Sequence, residues 1–103
     1  IGPFAYSVGK VNMYFQQCNF TFTDDAVDFL YSYSTVTNGS VVKFKDCTFN
    51  NMKDVYIFTT YGNSYDRSNL DITFEFKNCK GLPEVLLNPN HKNTLGQVKI
   101  IIK

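Results

Sequence analysis

The chain has 103 residues, of which 44% are hydrophobic and 18% charged, a balance that excludes a disordered chain. Ten Lys plus Arg against nine Asp plus Glu leave a net charge of +1, so there is no bulk basic field for nucleic acid or anionic lipid. No apolar run is long enough for a membrane-spanning helix; the longest are only a few residues, such as Ile100-Ile101-Ile102.

The opening, Ile1-Gly2-Pro3-Phe4, carries no signal-peptide pattern, and the chain reads as a processed product or a fragment. A corner, Ser7-Val8-Gly9-Lys10, leads into Met13-Tyr14-Phe15-Gln16-Gln17-Cys18-Asn19-Phe20. After a second corner, Thr37-Asn38-Gly39-Ser40, comes Val42-Lys43-Phe44-Lys45-Asp46-Cys47-Thr48-Phe49. A third copy, Phe74-Glu75-Phe76-Lys77-Asn78-Cys79, follows Arg67-Ser68-Asn69. A truncated fourth, Val98-Lys99-Ile100, follows Asn93-Thr94-Leu95-Gly96. The shared pattern is apolar-x-Phe-x-x-Cys. Phe15, Phe44, Phe76 and Ile100 mark the copies, with steps of 29, 32 and 24 residues. Such a period belongs to solenoids and arrays.

Within each copy apolar and polar residues alternate, as in Ile72-Thr73-Phe74-Glu75-Phe76. That is a strand with one buried face. A second ladder of residues two apart follows each cysteine: Val27-Asp28-Phe29, Val55-Tyr56-Ile57 and Val85-Leu86-Leu87. A third alternating stretch, Tyr31 to Thr37, completes the first coil, and a looser one, Thr59 to Tyr65, the second. No helical periodicity is sustained, and aromatic residues at 17% suit strands.

The fold class expected is therefore all-β: a solenoid segment of about three to four coils spanning 1–103, with coils starting near 11, 41, 72 and 97. Stacked coils pair in parallel about 4.8 Å apart. Phe15 then lies on Phe44 on Phe76 on Ile100, and Cys18 on Cys47 on Cys79. The rival architecture is a β-sandwich, which also suits short strands at such spacing. On these repeats, above all Val42-Lys43-Phe44-Lys45-Asp46-Cys47-Thr48-Phe49-Asn50-Asn51, the chain resembles the right-handed parallel β-helix family. That family includes pectate-lyase-like enzymes, phage tailspikes and bacterial surface adhesins. The resemblance covers residues 10 to 103 and is specific for architecture, not for chemistry.

The three cysteines are expected as buried free thiols rather than a metal site or a disulfide, and no metal or cofactor is expected. Two classes of candidate site stand out. Asp54 and Glu84 occupy matching positions on neighbouring coils, and Asp24 and Asp25 lie one corner away. Paired carboxylates suit glycoside chemistry, while a bland reading makes them corner residues that hydrogen-bond their own backbone. Polygalacturonase-type β-helices resemble the chain in an Asp-Asp pair, but their Gly-His-Gly and Arg-Ile-Lys motifs are missing here, and His91 sits in a polar loop. The tyrosines Tyr31, Tyr33, Tyr61 and Tyr65 form a candidate ligand-binding platform for sugar rings or partner proteins, if they do not point into the core.

The leading functional reading is a non-catalytic extracellular, cell-surface or virion module that recognises a glycan or a surface protein, by analogy of fold with tailspikes and adhesins. The alternatives are a fragment of a polysaccharide lyase or hydrolase and a purely structural spike or filament subunit. A solenoid is open at both ends, so homo-oligomerisation or flanking chain is expected to cap it. Nucleic acid is not an expected partner.

Overall fold

The alternation of β-branched and aromatic residues with polar ones does produce strands. The computed structural model describes residues 5–7, 10–32, 39–60, 71–89 and 98–103. Among these there is no helix. The strands are β1 (Ala5–Ser7), β2 (Asn12–Gln16), β3 (Asn19–Thr21), β4 (Asp28–Ser32), β5 (Ser40–Lys45), β6 (Thr48–Asn50), β7 (Tyr56–Thr60), β8 (Ile72–Lys77) and β9 (Val98–Ile102). They form three sheets, β1-β4-β7, β2-β5-β8-β9 and β3-β6. Every pairing is parallel. The chain is all-β with parallel strands in small sheets, and an antiparallel sandwich does not describe it.

The recurring motif sets the register of the largest sheet. Phe15 pairs with Phe44, and Phe44 with Phe76. Their rings stack, with centroids 5.2 Å apart at 15° and 4.9 Å apart at 3°. Phe20 and Phe49 stack in the same way between β3 and β6, 5.2 Å apart. Phe29 meets Phe15, Phe20 and Phe44 edge-on, closing an aromatic centre that joins the sheets. Val42, Ile57, Ile72 and Phe74 extend this core, all fully buried.

The structure corrects three of the expected alignments. The fourth member of the Phe row is Ile102, not Ile100: β9 pairs Phe74 with Ile100 and Phe76 with Ile102. The step from β8 to β9 is 26 residues, from Ile72 to Val98. The second ladder is also imperfect. Phe29, Val55 and Ile57 are buried as expected, but Val27 and Val85 are exposed by 53% and 55%. Strict alternation fails here. Phe29 and Leu30 are buried in succession, as are Ile57, Phe58 and Thr59. Phe58 turns to Phe74, with ring centroids 5.8 Å apart, while Phe29 serves the Phe15–Phe44 stack. Finally, only Cys47 is fully buried; Cys18 and Cys79 are half-buried. All three are free thiols.

Each corner has a physical device that the repeat encodes one residue before the cysteine. Gln17, Asp46 and Asn78 adopt left-handed backbone, with φ of 56°, 55° and 53°. Their amides bond to the next rung: Gln17 N–H donates to the Lys45 carbonyl, Asp46 to Lys77 and Asn78 to Lys103. The Asn78 side-chain amide also donates to Asp46 Oδ1 at 2.7 Å. Asn and Asp tolerate this conformation and Gln does so less well. Gln17→Asn is therefore expected to stabilise the protein by about 0.5–1 kcal/mol. Urea unfolding checks it, and a loss of stability would show that Gln17 makes a compensating interaction.

Candidate functional site

The candidate carboxylates come from three corners, around Asp24-Asp25, Asp54 and Glu84, where the chain leaves a strand and must satisfy backbone groups without a ladder. Asp24 accepts a hydrogen bond from Asn51 Nδ2 at 2.8 Å, and the same amide lies 2.8 Å from the Phe22 carbonyl. Asp25 Oδ1 accepts from Thr23 Oγ1 at 2.7 Å, which holds its carboxyl below the usual carboxylate range. Both residues are exposed and both act as corner acceptors. Asp54 occupies left-handed backbone with φ of 65°.

Asp54 and Glu84 are brought together at one groove. It is open, about 550 Å³, and lined by both carboxylates with Lys53, Tyr56, Pro83 and Val85 among others. The backbone link that holds this part of the chain is the Ile57 N–H, which donates to the Leu86 carbonyl at 2.8 Å. Two carboxylates and an ammonium in one groove have the composition that acid–base chemistry on a glycan needs. Asp24 and Asp25 do not line this groove.

Of the tyrosine platform, Tyr31 lies in β4 between Tyr6 of β1 and Thr59 of β7. Tyr33, Tyr61 and Tyr65 lie outside the described residues. His91 does so too. Among the described residues no group of three or more His, Cys, Asp or Glu comes together in a way that could hold a metal.

The cysteines sit where each strand of the large sheet ends. Cys18 Sγ lies 3.5 Å from the Gln16 carbonyl, Cys47 Sγ 3.3 Å from that of Lys45, and Cys79 Sγ 3.5 Å from that of Lys77. Cys47 and Cys79 also reach back one rung, to the carbonyls of Phe15 and Phe44. A small apolar side chain with a weak donor fits this place under the corner. Burial pushes the Cys47 thiol up, so its thiolate is scarce. Alkylation of the native protein is expected to modify Cys18 and Cys79 first and Cys47 last, with all three modified after denaturation. Mass spectrometry of timed samples checks this, and early modification of Cys47 would overturn it.

A feature that composition concealed is the outward face of the large sheet. Alternation turns Val42, Phe44, Phe74 and Phe76 inward and Lys43, Lys45, Glu75 and Lys77 outward. Lys45 pairs directly with Lys77. Lys103 lies beside Lys77 in turn, because its N–H donates to the Phe76 carbonyl and its own carbonyl accepts from Asn78. The next row is Tyr14, Lys43, Glu75 and Ile101. Lys99 is exposed on β9. Glu75 bonds to Lys103 and lies 3.9 Å from Lys43. The hydrogen bond from Lys103 holds the Glu75 carboxyl below the ordinary glutamate value. The sign follows. The stabilising contribution is complete above the ordinary glutamate value and is lost as the pH falls through the lower folded value. Melting curves at falling pH are expected to show a loss that Glu75→Gln removes; identical profiles for the two proteins would exclude the contribution.

Comparison with known protein families, with curated proteins and with solved structures found no match.

Proposed function

We propose that this chain is a segment of a right-handed parallel β-helix of three to four coils, and that it serves as a non-catalytic recognition and assembly module of a cell surface or virion. The observation that carries the reading is the unbroken parallel register of β2, β5, β8 and β9, with Phe stacked on Phe from rung to rung. Coil stacking of this kind makes a stiff body whose outer faces are long, flat and polar. Such faces suit binding to extended partners such as a glycan chain or a surface protein. Assembly is supported by the β9 side of the sheet. Ile102 continues the Phe row yet is exposed by 64%. A second copy, or further chain, stacked on β9 would cover it and pair its open edge.

Two measurements test the reading. Binding to a glycan array, with no product formed from the bound glycans, supports it. Light scattering is expected to show oligomers, and a stable monomer at micromolar concentration would remove the assembly role.

One observation favours a second reading, a fragment of a polysaccharide lyase or hydrolase: Asp54 and Glu84 share a groove with Lys53. Glycan cleavage that disappears in Asp54→Asn and Glu84→Gln would replace the first reading with this one.

A further inference from the structure

We propose that the outward face of the β2-β5-β8-β9 sheet binds a linear sulfated glycan along its lysine ladder. The inference deepens the recognition reading and rests on it. The face carries Lys43, Lys45, Lys77, Lys99 and Lys103, half of the chain's ten basic residues, against one carboxylate, Glu75. A nearly neutral chain thus concentrates its positive charge on one side of one sheet.

The arrangement is not one that folding asks for. Lys45, Lys77 and Lys103 stand side by side on adjacent strands, about 4.8 Å apart along the ladder. Like charges placed opposite one another destabilise a sheet. Glu75 is engaged by Lys103 and Lys43. Among the described residues, Lys45 and Lys77 make no ion pair within 4 Å, although Lys77 is close enough to Glu75 to help hold its carboxyl down. Both line an open groove of about 580 Å³ with Lys43, Lys103 and Tyr14.

The chemistry narrows the ligand. Cations repeated on every rung match a polymer with repeated anions rather than one small ion. The cations that line the groove among the described residues are ammonium groups. An ammonium is a point charge that can meet a tetrahedral sulfate from any side. Tyr14, 58% exposed in the neighbouring row, offers a flat apolar face to a sugar ring. Single-stranded nucleic acid would call for a succession of aromatic platforms, and the groove has one exposed tyrosine.

The test is fluorescence anisotropy with a labelled heparin octasaccharide at low salt. Lys45→Gln combined with Lys77→Gln is expected to weaken binding at least tenfold, and each single substitution several-fold. The slope of log affinity against log salt should become shallower with each lysine removed. Lys80→Gln, an exposed lysine that lines neither groove, should leave affinity unchanged, and the desulfated octasaccharide should not bind. The melting temperature of the double variant should stay level or rise as the like-charge contact is removed. Undiminished binding by the double variant, equal binding of the desulfated probe, or tighter binding of an oligothymidylate would each overturn the proposal. So would a lowered melting temperature, which would assign the lysines to the fold. Binding of neutral glycans without binding of heparin would overturn this inference and leave the recognition reading standing. An array with no binding at all would remove this inference together with the glycan form of the recognition reading.

Discussion

Gly81→Ala is expected to destabilise the protein by about 2–4 kcal/mol, the sum of left-handed backbone strain and a displaced backbone hydrogen bond. Gly81 has φ of +87°, and a Cβ built on it would lie inside the contact distance of the Phe49 carbonyl oxygen. That oxygen belongs to the neighbouring rung, whose Phe49 N–H donates to the Lys80 carbonyl at 2.8 Å. Backbone meets backbone, so no flexible side chain can move aside. Gly39 supplies the control. Its φ is +86°, yet a Cβ there meets only the end of the Lys10 side chain, 3.6 Å away. Gly39→Ala should cost only the strain of the backbone, about 1–2 kcal/mol. Urea unfolding of both variants checks the pair. Equal losses would mean that the close approach of Gly81 to Phe49 contributes nothing.

Phe44→Ala is expected to cost about 3–5 kcal/mol, as for a large aromatic removed from a packed core. Phe44 is only 1% exposed. It is the middle ring of the Phe15–Phe44–Phe76 stack and meets Phe20, Phe29 and Phe49 edge-on. Its removal opens a cavity bounded by rings from both neighbouring rungs and from the adjoining sheet, none of which can collapse without breaking register. Phe15→Ala should cost less, because Phe15 is only half-buried. Thermal or urea unfolding decides the matter. A loss below about 1 kcal/mol for Phe44→Ala would show that the ring stack is not the centre of the core.

The two substitutions probe the same principle from opposite ends. Parallel rungs bring like residues together, so a single position is held by its neighbours above and below. Where the position is a ring, stacking satisfies it. Where it is a backbone corner, only glycine or a residue tolerant of positive φ fits. The Lys45–Lys77–Lys103 row is a case among the described residues in which stacking of like residues works against stability.

Much of the fold can be read from the chain alone. The apolar-x-Phe-x-x-Cys pattern places Phe15, Phe44 and Phe76 at equivalent points, and period-two alternation sends them to one face; parallel stacking follows from the need to bury that face repeatedly. The spacing of the Val-x-Ile and Val-x-Leu segments suggests that Asp54 and Glu84 are near one another, and both line one groove. Other features needed the tertiary structure. Val98-Lys99-Ile100-Ile101-Ile102 has apolar residues at both 100 and 102, which point to the same face, so a slip of two residues leaves the pattern unchanged; only the hydrogen bonds of Lys103 to the Phe76 and Asn78 backbone choose Ile102 as the partner of Phe76. Val27 and Val85 share a sequence pattern with the buried Val55, but burial depends on what packs above and below, and that is a property of the neighbouring rungs. The lysine ladder is the clearest case. Lys45, Lys77 and Lys103 are far apart along a chain of net charge +1, and they become one electrostatic surface only because parallel register sets them side by side.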